Sequence, residues 1–108
     1  MTGRRTDREL LAEYAGSRSE AAFAELVRRH AGKVHAAAVR ILGDPHAAED
    51  ASQAAFLLLA RRAARLGGRE AVSGWLLKTA SFVAAHALRE RSRRARREEA
   101  AAVHEELG

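Results

Sequence analysis

The chain has 108 residues, the size of a single domain, enough to bury roughly two-thirds of the surface its unfolded form exposes. It has no cysteine, so disulfides and a cysteine-ligated zinc site are excluded, and no apolar run approaches the roughly 18 residues of a membrane span. The formal charge is +5 and unevenly placed, with six arginines from Arg89 to Arg97 and then an acidic stretch from Glu98 to Glu106, a layout that favours a polyanionic partner bound in a salt-sensitive way.

Alanine, leucine, arginine and glutamate dominate and there is a single proline, a composition that favours helix throughout. Met1 to Arg8 has no signal-peptide apolar core, so a cytoplasmic protein is the expectation. Thr6-Asp7-Arg8-Glu9 has the spacing of a capping box and predicts a short helix whose apolar contacts are Leu10, Leu11 and Tyr14. Gly16 is expected to stop it. Ser17-Arg18-Ser19-Glu20 repeats the device and starts a second helix with Ala22, Phe23, Leu26 and Val27 on one face. Gly32 is expected to bend or break that helix, and a further helical stretch carrying Val34, Ala38, Ile41 and Leu42 ends at Gly43.

Asp44-Pro45 pairs an N-cap aspartate with proline at the first helical position and predicts a helix from Pro45 to about Arg65. Its core side is Ala48, Ser52, Ala55 and Leu59, filled out by Phe56 and Leu58. Its opposite side is His46, Asp50, Gln53, Leu57 and Arg61. Leu57 stands alone in that polar stripe, either as an isolated exposed side chain or as part of a docking patch. Leu66-Gly67-Gly68-Arg69 reads as a turn, and the last helix begins between Arg69 and Ser73.

That last helix has two distinct lines at helical spacing. Val72, Leu76, Ala80, Val83 and Ala87 form an ordinary buried stripe. Beside it run Trp75, Lys78, Phe82, His86, Arg89 and Arg93, aromatic rings alternating with cations and leading into the arginine run. Rings stack on unpaired bases and guanidinium groups neutralise phosphates, so the line suits a nucleic-acid strand. In the competing reading Trp75 and Phe82 finish the core and the arginines solvate a helix end.

Enzyme chemistry finds no support. His30 and His35 lie five apart, about 140° around a helix, and do not converge on a metal. There is no nucleophile with a basic partner, no phosphate-cradling glycine loop and no convincing carboxylate pair. No catalytic residue, metal, cofactor or small-molecule substrate is expected. The sum is an all-α compact bundle of four to five helices with a long basic C-terminal helix.

Several segments carry a family resemblance through their order and spacing. They are Ala22-Phe23 with Leu26-Val27 and Arg29-His30, then Leu42-Gly43-Asp44, then Ala48 to Leu57, then Gly74-Trp75-Leu76 with its helix and arginines. From about Asp7 to Arg97 the chain resembles region 2 of sigma-70-family RNA polymerase sigma factors, of the small extracytoplasmic-function (ECF) type. The resemblance implies a region 2-like domain over 1–97, with 98–108 a frayed helix or the start of an interdomain linker. Family members also carry a second helical domain that reads the −35 element, to which nothing here corresponds.

The implied function is a transcription-initiation domain that binds the beta-prime coiled coil of core RNA polymerase and recognises and helps open the promoter −10 element. The resemblance puts Asp50 and Gln53 at polymerase-contact positions, with Ala54 where the family usually has glutamate and Leu57 beside them. It assigns the −10 non-template strand to the last helix, through Trp75, Lys78, Phe82, His86, Arg89 and Arg93. The loop from Arg65 to Gly74, with Arg69, helps hold a flipped base; extrusion costs a few kcal/mol, offset in part by stacking. Lys78, Arg89 and Arg93 are expected on phosphates rather than bases. Three departures accompany this: Phe82 replaces a polar residue, His86 an aspartate, and Leu66 and Val72 the loop's aromatics. They leave the base readout undefined and weak melting activity open. The alternative is a sigma-like interaction module held by an anti-sigma regulator.

Overall fold

Capping chemistry sets the element boundaries. In the computed structural model, which describes residues 4–66 and 71–107, the chain forms α1 (Asp7–Ser17), α2 (Glu20–Leu42), α3 (Pro45–Leu66) and α4 (Val72–Leu107). The capping box closes as predicted: Glu9 N–H donates to Thr6 Oγ1 at 3.1 Å and Thr6 N–H donates to Glu9 Oε1 at 2.8 Å. Those hydrogen bonds from Thr6 hold the Glu9 carboxyl below its ordinary value.

Gly16 does not stop α1; it lies inside the helix, and the left-handed position falls on Arg18 at φ 58°. Ser19 must serve as the N-cap of α2, accepting from Ala22 N–H at 3.2 Å, so Arg18 alone is left to turn the chain. Its N–H donates to Tyr14 C=O at 2.8 Å, and its guanidinium sits 5.1 Å from the Tyr14 ring centroid, a cation–π contact that offsets some of the strain.

Gly32 neither bends nor breaks α2, which runs unbroken over 23 residues and removes the five-helix option. The glycine is exposed with nothing packed over it. Its cost relative to alanine is only about 1 kcal/mol, and the burial of Leu26, His30, Val34, Ala37 and Ala38 around it outweighs that. Gly43, at φ 69°, ends α2 with its N–H on Val39 C=O at 2.7 Å. Asp44 then caps α3, its Oδ1 accepting from His46 N–H at 3.0 Å.

The α2 helix is the hub and packs on α1, α3 and α4. Leu26, Val34, Leu59 and Leu76 are fully buried at its centre. A second cluster of Ala38, Leu42, Ala48, Ala51 and Ala84 lets α2, α3 and α4 approach closely through small side chains. That close approach moves the buried stripe of α4 to Val72, Leu76, Ala80 and Ala84; Val83 and Ala87, expected inside, are half-buried.

Helix α1 is tied down by charge as well as by Leu10 and Leu11. The Asp7 carboxylate accepts from His30 Nε2 at 2.9 Å and from Arg29 at 3.1 Å, and Arg29 Nε donates to Glu25 at 3.0 Å. Hydrogen bonds from Arg28 and then Arg29 hold the Glu25 carboxyl below its ordinary value. The buried His30 is thus a satisfied structural residue.

The molecule is elongated, 73 Å by 22 Å by 22 Å, because α4 outgrows the bundle. Past Arg97 the helix extends to Leu107, and every residue from 91 to 107 is exposed. Among the described residues no helix is long and apolar enough to cross a membrane.

Candidate functional site

Two outward strips on neighbouring helices make up the site. On α3, His46, Asp50, Gln53, Leu57 and Arg61 are all exposed, the full polar line read from the sequence. Ala54 is half-buried at its edge. Leu57, 63 % exposed, is not isolated: it borders an apolar groove of about 360 Å³ between α2 and α3. Phe23, Val27 and Ala31 of α2 and Phe56 and Ala60 of α3 line that groove, with Gln53, Glu49 and His35 as polar members. The strip carries one acid and one base, with Glu49 beside it, and is backed by apolar surface, a combination suited to a protein partner.

On α4, Lys78, Phe82, His86, Arg89 and Arg93 are exposed, Phe82 to 70 %. The reading in which Phe82 finishes the core falls. Trp75 divides between the two readings, half-buried against the core while lining a shallow depression with Lys78, Thr79 and Phe82. Leu58 and Arg62 of α3 complete that depression. Two rings and two cations around one concavity can stack a base and hold its phosphate.

The arginine run is not uniform. Arg93 pairs with Glu90, and that contact, with Arg93 named first among its causes, keeps the Glu90 carboxyl below its ordinary value. Arg91 Nη2 donates to Leu42 C=O at 3.0 Å, back onto the bundle. Glu90, Arg91 and Arg94 also face Asp50 across a groove floored by Ala47, Ala51, Val83 and Ala87.

Arg69 lies outside the described residues, as do 67–70 generally. Leu66 and Val72, at loop positions where the resemblance expects aromatics, pack against the core as the last residue of α3 and the first of α4. Sequence reasoning missed Leu58, Arg62 and Thr79 in the depression and Phe23, Val27 and Ala31 in the groove. Each lies on a neighbouring face or a different helix, and only the helix packing brings them to the strips. Among the described residues no group of three histidine or acidic side chains could hold a metal.

A family model described as sigma-70 region 2 matches residues 26–94, from within α2, through all of α3, into the arginine run of α4. The chain belongs to the sigma-70 region 2 family. Comparison with curated proteins and with solved structures returned no match. Membership in the sigma-70 region 2 family gives the chain a sigma-factor role in transcription initiation, with core RNA polymerase and promoter DNA as partners in general terms. Region 2 is a non-enzymatic domain, and both strips fall within the matched range.

Proposed function

We propose that this region 2 domain is of the ECF type, that α3 docks on the beta-prime coiled coil of core RNA polymerase, and that α4 takes the non-template strand of the −10 element. The observation that carries the proposal is the separation of the two strips: Asp50, Gln53 and Leu57 on one helix, Trp75, Lys78, Phe82, His86, Arg89 and Arg93 on the next. One is polar with little net charge beside an apolar groove; the other is aromatic and cationic. A factor that must hold polymerase and promoter together needs two surfaces of different character.

Asp50 supplies charge at the polymerase contact, Gln53 a hydrogen-bonding amide, and Leu57 apolar area continuous with the groove. Ala54 contributes a small surface where glutamate is usual. On α4, Phe82 and the exposed part of Trp75 offer stacking, and Lys78, Arg89 and Arg93 neutralise phosphates; His86 adds a polar edge between them. Arg69 belongs to the loop assigned to the flipped base. Binding of the chain to core polymerase, compared with Asp50→Arg and Gln53→Ala, tests the docking half. A marked loss with both variants is expected, and unchanged binding rejects the assignment.

The groove beside Leu57 favours a second reading, in which the same face is held by an anti-sigma regulator and the domain has little DNA activity of its own. Salt dependence separates the two. Single-stranded −10-like DNA held by arginines loses affinity steeply as salt rises, whereas a protein held by apolar contacts in the groove changes little.

A further inference from the structure

Arg91 differs from the arginines around it. Residues two apart on a helix point about 200° from one another, so Arg91 lies on the bundle side of α4 while Arg89 and Arg93 share the far side. Its Nη2 donates to Leu42 C=O at 3.0 Å, and among the described residues this is the one side-chain hydrogen bond from α4 to another helix. Leu42 ends α2, so its carbonyl has no partner within its own helix. A guanidinium there satisfies the carbonyl and complements the negative end of the helix dipole.

The position of this contact gives it consequence. Leu42 adjoins the Gly43-Asp44 turn from which α3 starts, and beyond Arg91 every residue of α4 to Leu107 is exposed. Among the described residues Arg91 is thus the last side chain of the long rod hydrogen-bonded to the bundle, joined at the root of the helix carrying the other strip. We infer that Arg91 is a positioning residue, which fixes the angle at which α4 leaves the bundle and so the spacing between the α3 strip and the phosphate-facing arginines, and does not itself touch nucleic acid. The consequence for DNA rests on the function proposed above; the geometric part does not.

The test has two arms. Because the chain has no cysteine, Ala64→Cys on α3 and Ala101→Cys on the free part of α4, both exposed positions, allow a spin-label pair in the full chain. The label-to-label distance distribution is expected to be narrow with Arg91, to broaden or shift in Arg91→Ala and Arg91→Gln, and to return toward the parent in Arg91→Lys, which restores a cationic donor. A distribution unchanged in both uncharged variants overturns the inference, provided circular dichroism shows them folded; Arg91→Gln, a polar side chain too short to reach Leu42 C=O in the same way, guards against loss of folding in Arg91→Ala.

The second arm measures affinity against salt for a DNA with an A·T-rich single-stranded segment joined to duplex. Arg91→Ala should bind several-fold more weakly with the parent's slope of log affinity on log salt. Arg93→Ala should flatten that slope by about 0.7 to 0.9, the value of one phosphate contact. A flattening of that size in Arg91→Ala makes it a phosphate contact and rejects the positioning role. Absence of any salt dependence in the parent rejects the DNA reading of α4, while the distance measurement still decides the role of Arg91.

Discussion

The packed and free halves of α4 are one continuous helix under two regimes. From Val72 to Leu88 the rod buries one side, through Val72, Leu76, Ala80 and Ala84, against α2 and α3. From Arg91 to Leu107 no residue is buried. The first half is helical because its apolar face must be covered, and the second because a helix already nucleated extends cheaply through alanine, arginine and glutamate. Stability therefore resides in one half, and the charge available to a partner is concentrated in the junction and the other half. Mutations in the two halves should change different measurements.

Leu76→Ala tests the packed half most severely. Leu76 is fully buried, and its truncation should cost about 2–5 kcal/mol in denaturant unfolding. A loss below about 1 kcal/mol would mean that α4 is not part of the cooperative core. Phe82→Ala probes the boundary between stability and binding. With its ring mostly in water, the substitution should leave unfolding within about 0.5 kcal/mol of the parent. The same change should weaken single-stranded DNA binding by about 1–3 kcal/mol, measurable by fluorescence anisotropy.

A smaller effect is expected from Ala101→Gly in the free half. It should lower helicity locally by about 0.5–1 kcal/mol, seen as faster amide exchange from Arg97 to Leu107, while the unfolding midpoint stays put. A shift in the midpoint would show that the free half is covered in solution.

The smallest effect concerns pH. Glu25 has its carboxyl held below the ordinary value by Arg28 and Arg29, and Glu9 by Thr6. A depressed folded-state value means these groups stabilise the fold fully above the ordinary carboxylate range. That contribution is lost as pH falls through their lowered values. Unfolding midpoints measured across that acidic range should therefore decline, and Glu25→Gln should make the decline shallower. Both carboxyls are solvent-accessible, so the change should be slight.

Most of the fold was legible because its signals are local. The Thr6 box, the Gly43 stop and the Asp44-Pro45 start each satisfy their own backbone groups, and the α3 wheel sorted its exposed line correctly because one face of that helix meets the core. Gly16 and Gly32 were misread for a common reason. A glycine weakens a helix by an amount that tertiary packing readily exceeds, so neither acts as a stop on its own. The drift of the α4 stripe toward Ala84 depended on which small residues of α2 and α3 it would meet, which no single helix specifies.

The candidate strips were legible as exposed lines, and the cavities beside them were not. Asp50, Gln53, Leu57 and the α4 line from Lys78 to Arg93 follow from periodicity within one helix. The depression that adds Arg62 to Trp75 and Phe82, the groove that adds Phe23 and Val27 to Leu57, and the tie between Arg91 and Leu42 arise only where helices meet. Family membership covers both strips and assigns the domain to transcription initiation.

The joints between the first three helices are very short, Arg18-Ser19 in one place and Gly43-Asp44 in the other. Little loop-closure entropy stands between a newly made helix and its neighbour, so α1, α2 and α3 can associate almost as soon as they emerge. Refolding after a denaturant jump should accordingly lie in the microsecond-to-millisecond range of low-contact-order helical bundles, with the pairing of α2 and α4 as the closing event.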